Sequence, residues 1–187
     1  VNGGKGATIT TEPGIYVEPK FSPTKDMLVF RRVTGGYLLS PEWSMEPGIY
    51  IANIKTKEME KILERGFNAH FGADEDRLYY TSYVPDSKYT ELELRSVNLD
   101  GEDERQLLKG DKVTEFQLSP DGKWVAYTHQ NNAFVAPVLH TGTQQDLGAE
   151  TGGLPVAQVS ARAGEYLSWS ADSSRLSWSH AASVFER

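Results

Sequence analysis

An eleven-residue phrase, a tight polar turn running into a strand, occurs four times in this chain. The copies are SPTKDMLVFRR from Ser22, GADEDRLYYTS from Gly72, SPDGKWVAYTH from Ser119 and SADSSRLSWSH from Ser170. A large apolar residue precedes each (Phe21, Phe71, Leu118, Trp169), and in each an aliphatic residue at the seventh place is followed two later by an aromatic. Residues two apart share a face of a strand. The copies start 50, 47 and 51 residues apart, and a period of about 40–50 residues with several short strands per unit marks a β-propeller. Sandwiches and barrels also use regularly spaced short strands, but a Greek key has no physical reason to repeat one phrase in register, whereas equivalent blades packing on equivalent neighbours do.

Within one period the pieces order themselves. The apolar residue and its partner two back (Ala69, Phe116, Leu167) form a first short strand. A Ser-Pro-Asp-Gly kind of turn follows, and the second strand runs through MLVFRR, RLYYTS, KWVAYTH or RLSWSH. A third strand is read from GIYIANI, TELELRSVNL and NAFVAPVL, and a hairpin returns it into a fourth at EMEKIL, ERQLLK and QQDLG. No stretch shows sustained helical periodicity, so the fold class expected is all-β, a propeller of four-stranded antiparallel blades. Blades are expected at about 15–66, 67–112 and 113–160. Residues 1–14, with an orphan strand around Ala7 to Thr11, end a preceding blade, and 161–187 form an incomplete one. This division expects a partial propeller, three whole blades plus parts of two, rather than a closed ring of four.

The formal charge of −7, with 19 Lys and Arg scattered among 26 acids, argues against a nucleic-acid backbone or an anionic membrane surface as partner. No apolar run approaches the roughly 18–20 residues of a membrane span, and the first residues, VNGGKGATITT, lack the pattern of a signal peptide. The absence of cysteine removes disulfides, thiol nucleophiles and cysteine-ligated zinc.

Candidate chemistry is sparse. The histidines are His70, His129, His140 and His180, and none falls in an HxH or HExxH pair. No GxSxG elbow exists. Ser22, Ser119 and Ser170 read as turn formers, as do Asp74, Asp121 and Asp172. The carboxylates at Asp74–Asp76 and in DGEDE from Asp100 read as solvated turns rather than calcium ligands. No catalytic, metal or cofactor site is therefore assigned. His129 and His180 hold the same place just past the second strand, with Arg32 and Ser82 as counterparts, which puts them on one rim. Phe30, Tyr80, Tyr127 and Trp178 also repeat and are expected between blades. Tyr37, Trp43 and Tyr50 lie in or beside a long insert of the first blade, where loops on a rigid scaffold carry recognition. Tyr37, Trp43, Tyr50, His129 and His180 are thus the candidate interaction surface.

The phrases PKFSP, HFGADEDRLYYTS, FQLSPDGKWVAYTH and GEYLSWSADSSRLSWS resemble the repeats of TolB-type, WD-like propellers. More narrowly, GGYLLSPEWSMEPGIYIANI and VSARAGEYLSWSADSSRLSWS resemble the propeller that precedes a metal-dependent amidohydrolase domain in some secreted or periplasmic bacterial proteins. The resemblance implies a non-catalytic scaffold or gate, periplasmic or secreted, whose partner is another protein or another domain of the parent chain. The alternative is the substrate filter of a prolyl oligopeptidase- or tricorn-like serine peptidase. Open blade edges also lead to an expectation of self-association. Two copies depart from the motif: Lys25-Asp26 replace Asp-Gly, and Ser173-Ser174 follow Asp172 without glycine.

Overall fold

The computed structural model describes residues 6–34, 46–74, 76–87, 90–139, 142–148 and 153–187, and these contain β-strands and no helix. The first sheet is β1 (Ile15–Phe21), β2 (Met27–Val33), β3 (Gly48–Asn53) and β4 (Met59–Leu63), side by side in chain order. The second repeats this order with β5 (Phe67–Phe71), β6 (Arg77–Tyr83), β7 (Glu91–Asn98) and β8 (Arg105–Asp111). The third comprises β9 (Val113–Leu118), β10 (Trp124–His129), β11 (Asn132–Pro137) and β13 (Ala157–Ala163), and the fourth β14 (Glu165–Trp169), β15 (Leu176–His180) and β16 (Ser183–Glu186). A short β12 (Gln145–Asp146) lies between β11 and β13 in the chain.

The sheets stack as four blades of a β-propeller. Strand β5 packs against β1 and β2, β9 against β5 to β7, and β14 against β9 to β11, so each blade's first strand is wedged into the blade before it. Between the first and fourth sheets no comparable strand packing exists among the described residues.

The repeated aromatic residue accounts for the packing. Tyr80, Tyr127 and Trp178 are each buried in the seam with the preceding blade, and Phe30 is buried on the equivalent face of the first. Each sits in one cluster with the aliphatic residue two before it, Leu28, Leu78, Val125 or Leu176, as the two-residue period of a strand requires.

The turns explain the repeated Ser and Asp. Ser119 Oγ donates to Asp121 Oδ1 at 2.6 Å and accepts Trp124 N–H at 3.0 Å. Ser170 Oγ makes the same bonds to Asp172 and Arg175 N–H, at 2.6 and 3.0 Å. The Ser170 and Ser174 hydroxyls hold the Asp172 carboxyl down at about 2. The departure at Ser173 leaves the geometry intact: Ser173 adopts φ +60° where Gly122 has +71°. Its hydroxyl also accepts Asp121 N–H of the preceding turn at 3.0 Å, so the serine ties two blades where glycine could not.

Three expectations are corrected. First, residues 6–14 form no strand. They cross the open face of the first blade, where Ile9 packs on the Phe30–Tyr50 cluster and Glu12 bonds Arg32 at 2.8 Å. Second, Gln145–Asp146 is not the fourth strand of the third blade. It runs parallel to β8 of the second, and β13 takes the outer place beside β11. The crossing segment plugs the seam: Leu147 is buried there, its oxygen lying where a side chain on Gly110 would come within 2.9 Å. Third, the third sheet runs through Ala163, past the boundary expected at residue 160, and Gly164 begins the passage to β14.

Candidate functional site

Polar groups bridge each of the three seams between successive blades. Glu18, in the left-handed region at φ +58°, turns its carboxylate across the first seam. It accepts Arg31 Nη2 at 2.5 Å and Asn68 N–H of β5 at 2.7 Å. His70 spans the second seam. Its Nδ1 lies 3.0 Å from Asn68 O, and its Nε2 accepts Leu118 N–H of β9 at 3.2 Å. This pattern defines the neutral tautomer with the proton on Nδ1. Burial pushes the imidazole down to about 4, only partly opposed by the bond to Asn68 O. In the third seam Glu115 accepts Leu167 N–H at 3.2 Å, and Trp169 Nε1–H donates to Gln117 O at 3.0 Å. Burial raises the Glu115 carboxyl above its ordinary range.

Several charged residues of the second blade are also engaged. Arg77 bonds Ser96 Oγ, Asn98 Oδ1 and both the carboxylate and the carbonyl of Asp103. Arg95 bridges Glu93 and Glu104 at 2.6 and 2.7 Å, and the Tyr80 hydroxyl donates to Glu104. Asp76 meets Lys25 at 2.6 Å. Acids of both sequence clusters are thus paired with cations, and among the described residues no three His, Asp or Glu converge as a metal site.

Two clefts lie at the exits of the second strands, and others of about 430 and 310 Å³ lie by the turns at the opposite ends of those strands. A cleft of about 710 Å³ between the first and second blades is walled by Val17, Glu18, Arg31, Arg65, Phe67 and Tyr83, among others. A second, of about 470 Å³, lies against the fourth blade and includes Arg162, Trp178, His180 and Phe185. His180 therefore lines a cleft. His129 is half-buried at the end of β10 on the same face, its ring edge-on to Phe134 at 6.0 Å. The two histidines share no cleft among those described. Tyr50 is not an exposed anchor: it is buried, stacked 6.1 Å from Phe30, and donates its hydroxyl to Glu46 O at 2.7 Å. Tyr37 and Trp43 lie outside the described residues. Arg32, the counterpart of the two histidines, is held by Glu12 and the Pro13 carbonyl, its guanidinium 5.8 and 5.9 Å from the Tyr16 and Tyr50 ring centres.

Sequence reasoning missed Glu18, His70 and Glu115. The signal available was position: Glu18, Asn68, Glu115 and Tyr166 all stand three residues before the large apolar residue. Glu18, Asn68 and Tyr166 all take positive φ.

Four stacked antiparallel sheets with their first strands wedged in sequence define a β-propeller. Comparison with solved structures agrees. TolB from Acinetobacter baumannii matches with a TM-score of 0.60 at 20% identity, over 90% of this chain and 38% of that one. The β-propeller domain of the Trilobed protease from Pyrococcus furiosus matches with a TM-score of 0.52 at 10% identity, over 89% of this chain and 48% of that one. Pyrococcus horikoshii acylaminoacyl peptidase matches with a TM-score of 0.55 at 10% identity, over 91% and 28%. The chain spans less than half the length of each of these proteins. At such identities the likeness is one of fold, that of a β-propeller. No family model matches the sequence, and no curated protein does.

Proposed function

We propose that this chain is a non-catalytic propeller scaffold within a larger TolB-like protein, presenting the face where its second strands end to a protein partner or to another domain of the same polypeptide. The observation that carries this reading is the use of its perturbed groups. His70 and Glu115, whose titration burial shifts in opposite directions, each accept a backbone N–H of the next blade. With both ring nitrogens taken, His70 has no free lone pair to aim at a substrate, and a general base needs one. The sequence resemblance extends the proposal to a support or gate for a metal-dependent amidohydrolase domain, in a periplasmic or secreted protein. The outer edge of β16, beside exposed Val184 and Phe185, is the strand edge that this reading offers to a second copy of the chain.

A second reading, the substrate filter of a serine peptidase, is favoured by the likeness to the Trilobed protease propeller and to acylaminoacyl peptidase. The gene beyond Arg187 separates the two: an HxH-bearing barrel supports the first, a GxSxG-bearing hydrolase the second. The purified chain tests catalysis directly. No turnover is expected with ester, amide and peptide substrates, and turnover abolished by one substitution would overturn the scaffold reading.

A further inference from the structure

The cleft between the first and second blades differs from the seams in having cationic groups to spare. Arg31 uses Nη2 on Glu18, while its Nη1 has no partner among the described residues. Its guanidinium carbon lies 6.0 Å from the Phe67 ring centre. Arg65, exposed in the short β4–β5 connection, makes no ion pair or side-chain hydrogen bond among the described residues. The acids nearby are committed: Glu18 to Arg31 and Asn68, and Glu64 to Lys61 at 2.7 Å. The cleft wall therefore carries a positive excess in a chain whose formal charge is −7. Phe67 and Tyr83, ring centres 5.4 Å apart, supply an apolar surface beside it, with Val17 and Val33. A volume of about 710 Å³ falls within the roughly 300–1,000 Å³ of pockets that take a small ligand.

We propose that this cleft binds a carboxylate presented by a peptide segment, with Arg31 and Arg65 holding the carboxylate and Phe67 and Tyr83 packing the apolar side chain next to it. This deepens the scaffold reading and rests on it. Guanidinium recognises a planar carboxylate through paired N–H donors. A singly charged carboxylate fits better than a phosphate here, because a second negative charge would face Glu18 and Glu64 across the same wall.

The test uses the whole chain and two blocked tripeptides, one with aspartate between phenylalanine and leucine, the other with asparagine in its place. Amide NMR signals report where each binds. The aspartate peptide is expected to move Arg31, Gly66 and Phe67 and to bind on the order of tenfold tighter than its twin, an advantage that shrinks in high salt. Arg65→Glu should abolish that advantage and Arg65→Lys retain part of it, with the exposed side chain leaving the melt unchanged in both. Equal binding of the two peptides, no binding, or an advantage that survives Arg65→Glu overturns the proposal. Binding that moves signals on the opposite face overturns this site and leaves the scaffold reading standing. The substrate panel tests that reading independently.

Discussion

The seam between the second and third blades and the seam between the first and second are built on the same repeat positions and end differently. In the former, Leu94, Leu108, Phe116, Val125 and Tyr127 are all but inaccessible, and Leu147 from the crossing segment seals the outer side. The Tyr127 hydroxyl finds a backbone carbonyl, Gly148 O, at 2.6 Å. In the latter, Val29, Ile49, Leu78 and Val97 form an equally dry centre. Around it, however, the Tyr80 hydroxyl meets the Glu104 carboxylate in a network with Arg95 and Glu93, and Arg31 and Glu18 pair at the edge of an open cleft. The second strand thus fixes where a seam lies. Loops fix whether it closes, because the crossing segment covers one seam and nothing equivalent is laid over the other among the described residues.

The largest effect expected is at the closed seam. Tyr127→Ala removes a fully buried ring stacked on Phe134 and should cost about 3–5 kcal/mol, the usual range for a core aromatic. A urea melt measures it, and a loss near zero would contradict the packing described for the whole repeat.

His70 brings pH into the same seam. Its pKa of about 4 in the folded chain lies below about 6.5 for an unfolded histidine, so the unfolded state takes up the proton first. Its contribution is complete above about pH 6.5, falls as pH drops, and levels off below about 4, amounting to about 3 kcal/mol across the window. Glu115 in the third seam works in the opposite direction. Its raised carboxyl contributes at pH below its unfolded pKa and loses that contribution as pH rises through the folded value. Urea melts of the parent and of His70→Gln at pH 7 and 4.5 isolate the histidine, and an unchanged pH slope in the variant would mean His70 does not carry it.

Tyr127 and His70 also mark how far the sequence could be read. Tyr127 was legible because its burial follows from the strand period and a phrase repeated in every blade. The turn role of Ser119 and Asp121 was legible because both partners lie within five residues. His70 was not, since its partner, Leu118 N–H, is 48 residues away and no local pattern distinguishes a strut from a surface histidine. The same holds for β12: its residues read as a fourth strand by spacing, but pairing with β8 depends on Gly110 leaving room for the crossing chain. Tyr50 misled for a related reason: it lies on β3, where Phe30 of the neighbouring strand covers its ring.

Removing the two tyrosine hydroxyls compares the seams with little change of packing. Tyr80→Phe deletes a bond to a carboxylate, for which about 1.5–3 kcal/mol is expected, whereas Tyr127→Phe deletes one to a neutral carbonyl, worth about 0.5–1.5. Equal losses in paired melts would mean the charged network adds nothing to the first seam.

The smallest effect expected is at the cleft itself. Glu18→Gln keeps the side-chain shape and one carbonyl to accept Asn68 N–H, and removes the charge and the acceptor oxygen that Arg31 uses. That pair is half-exposed, and exposed pairs contribute about 0–1 kcal/mol because water and salt screen them. The loss should therefore be about 1 kcal/mol or less in dilute buffer and should fade as salt is added. The Tyr127→Phe loss, inside the closed seam, should not move with salt. A Glu18→Gln loss as large as that of Tyr127→Ala, unchanged by salt, would mean that the first seam is closed like the second, and the distinction between them would fall.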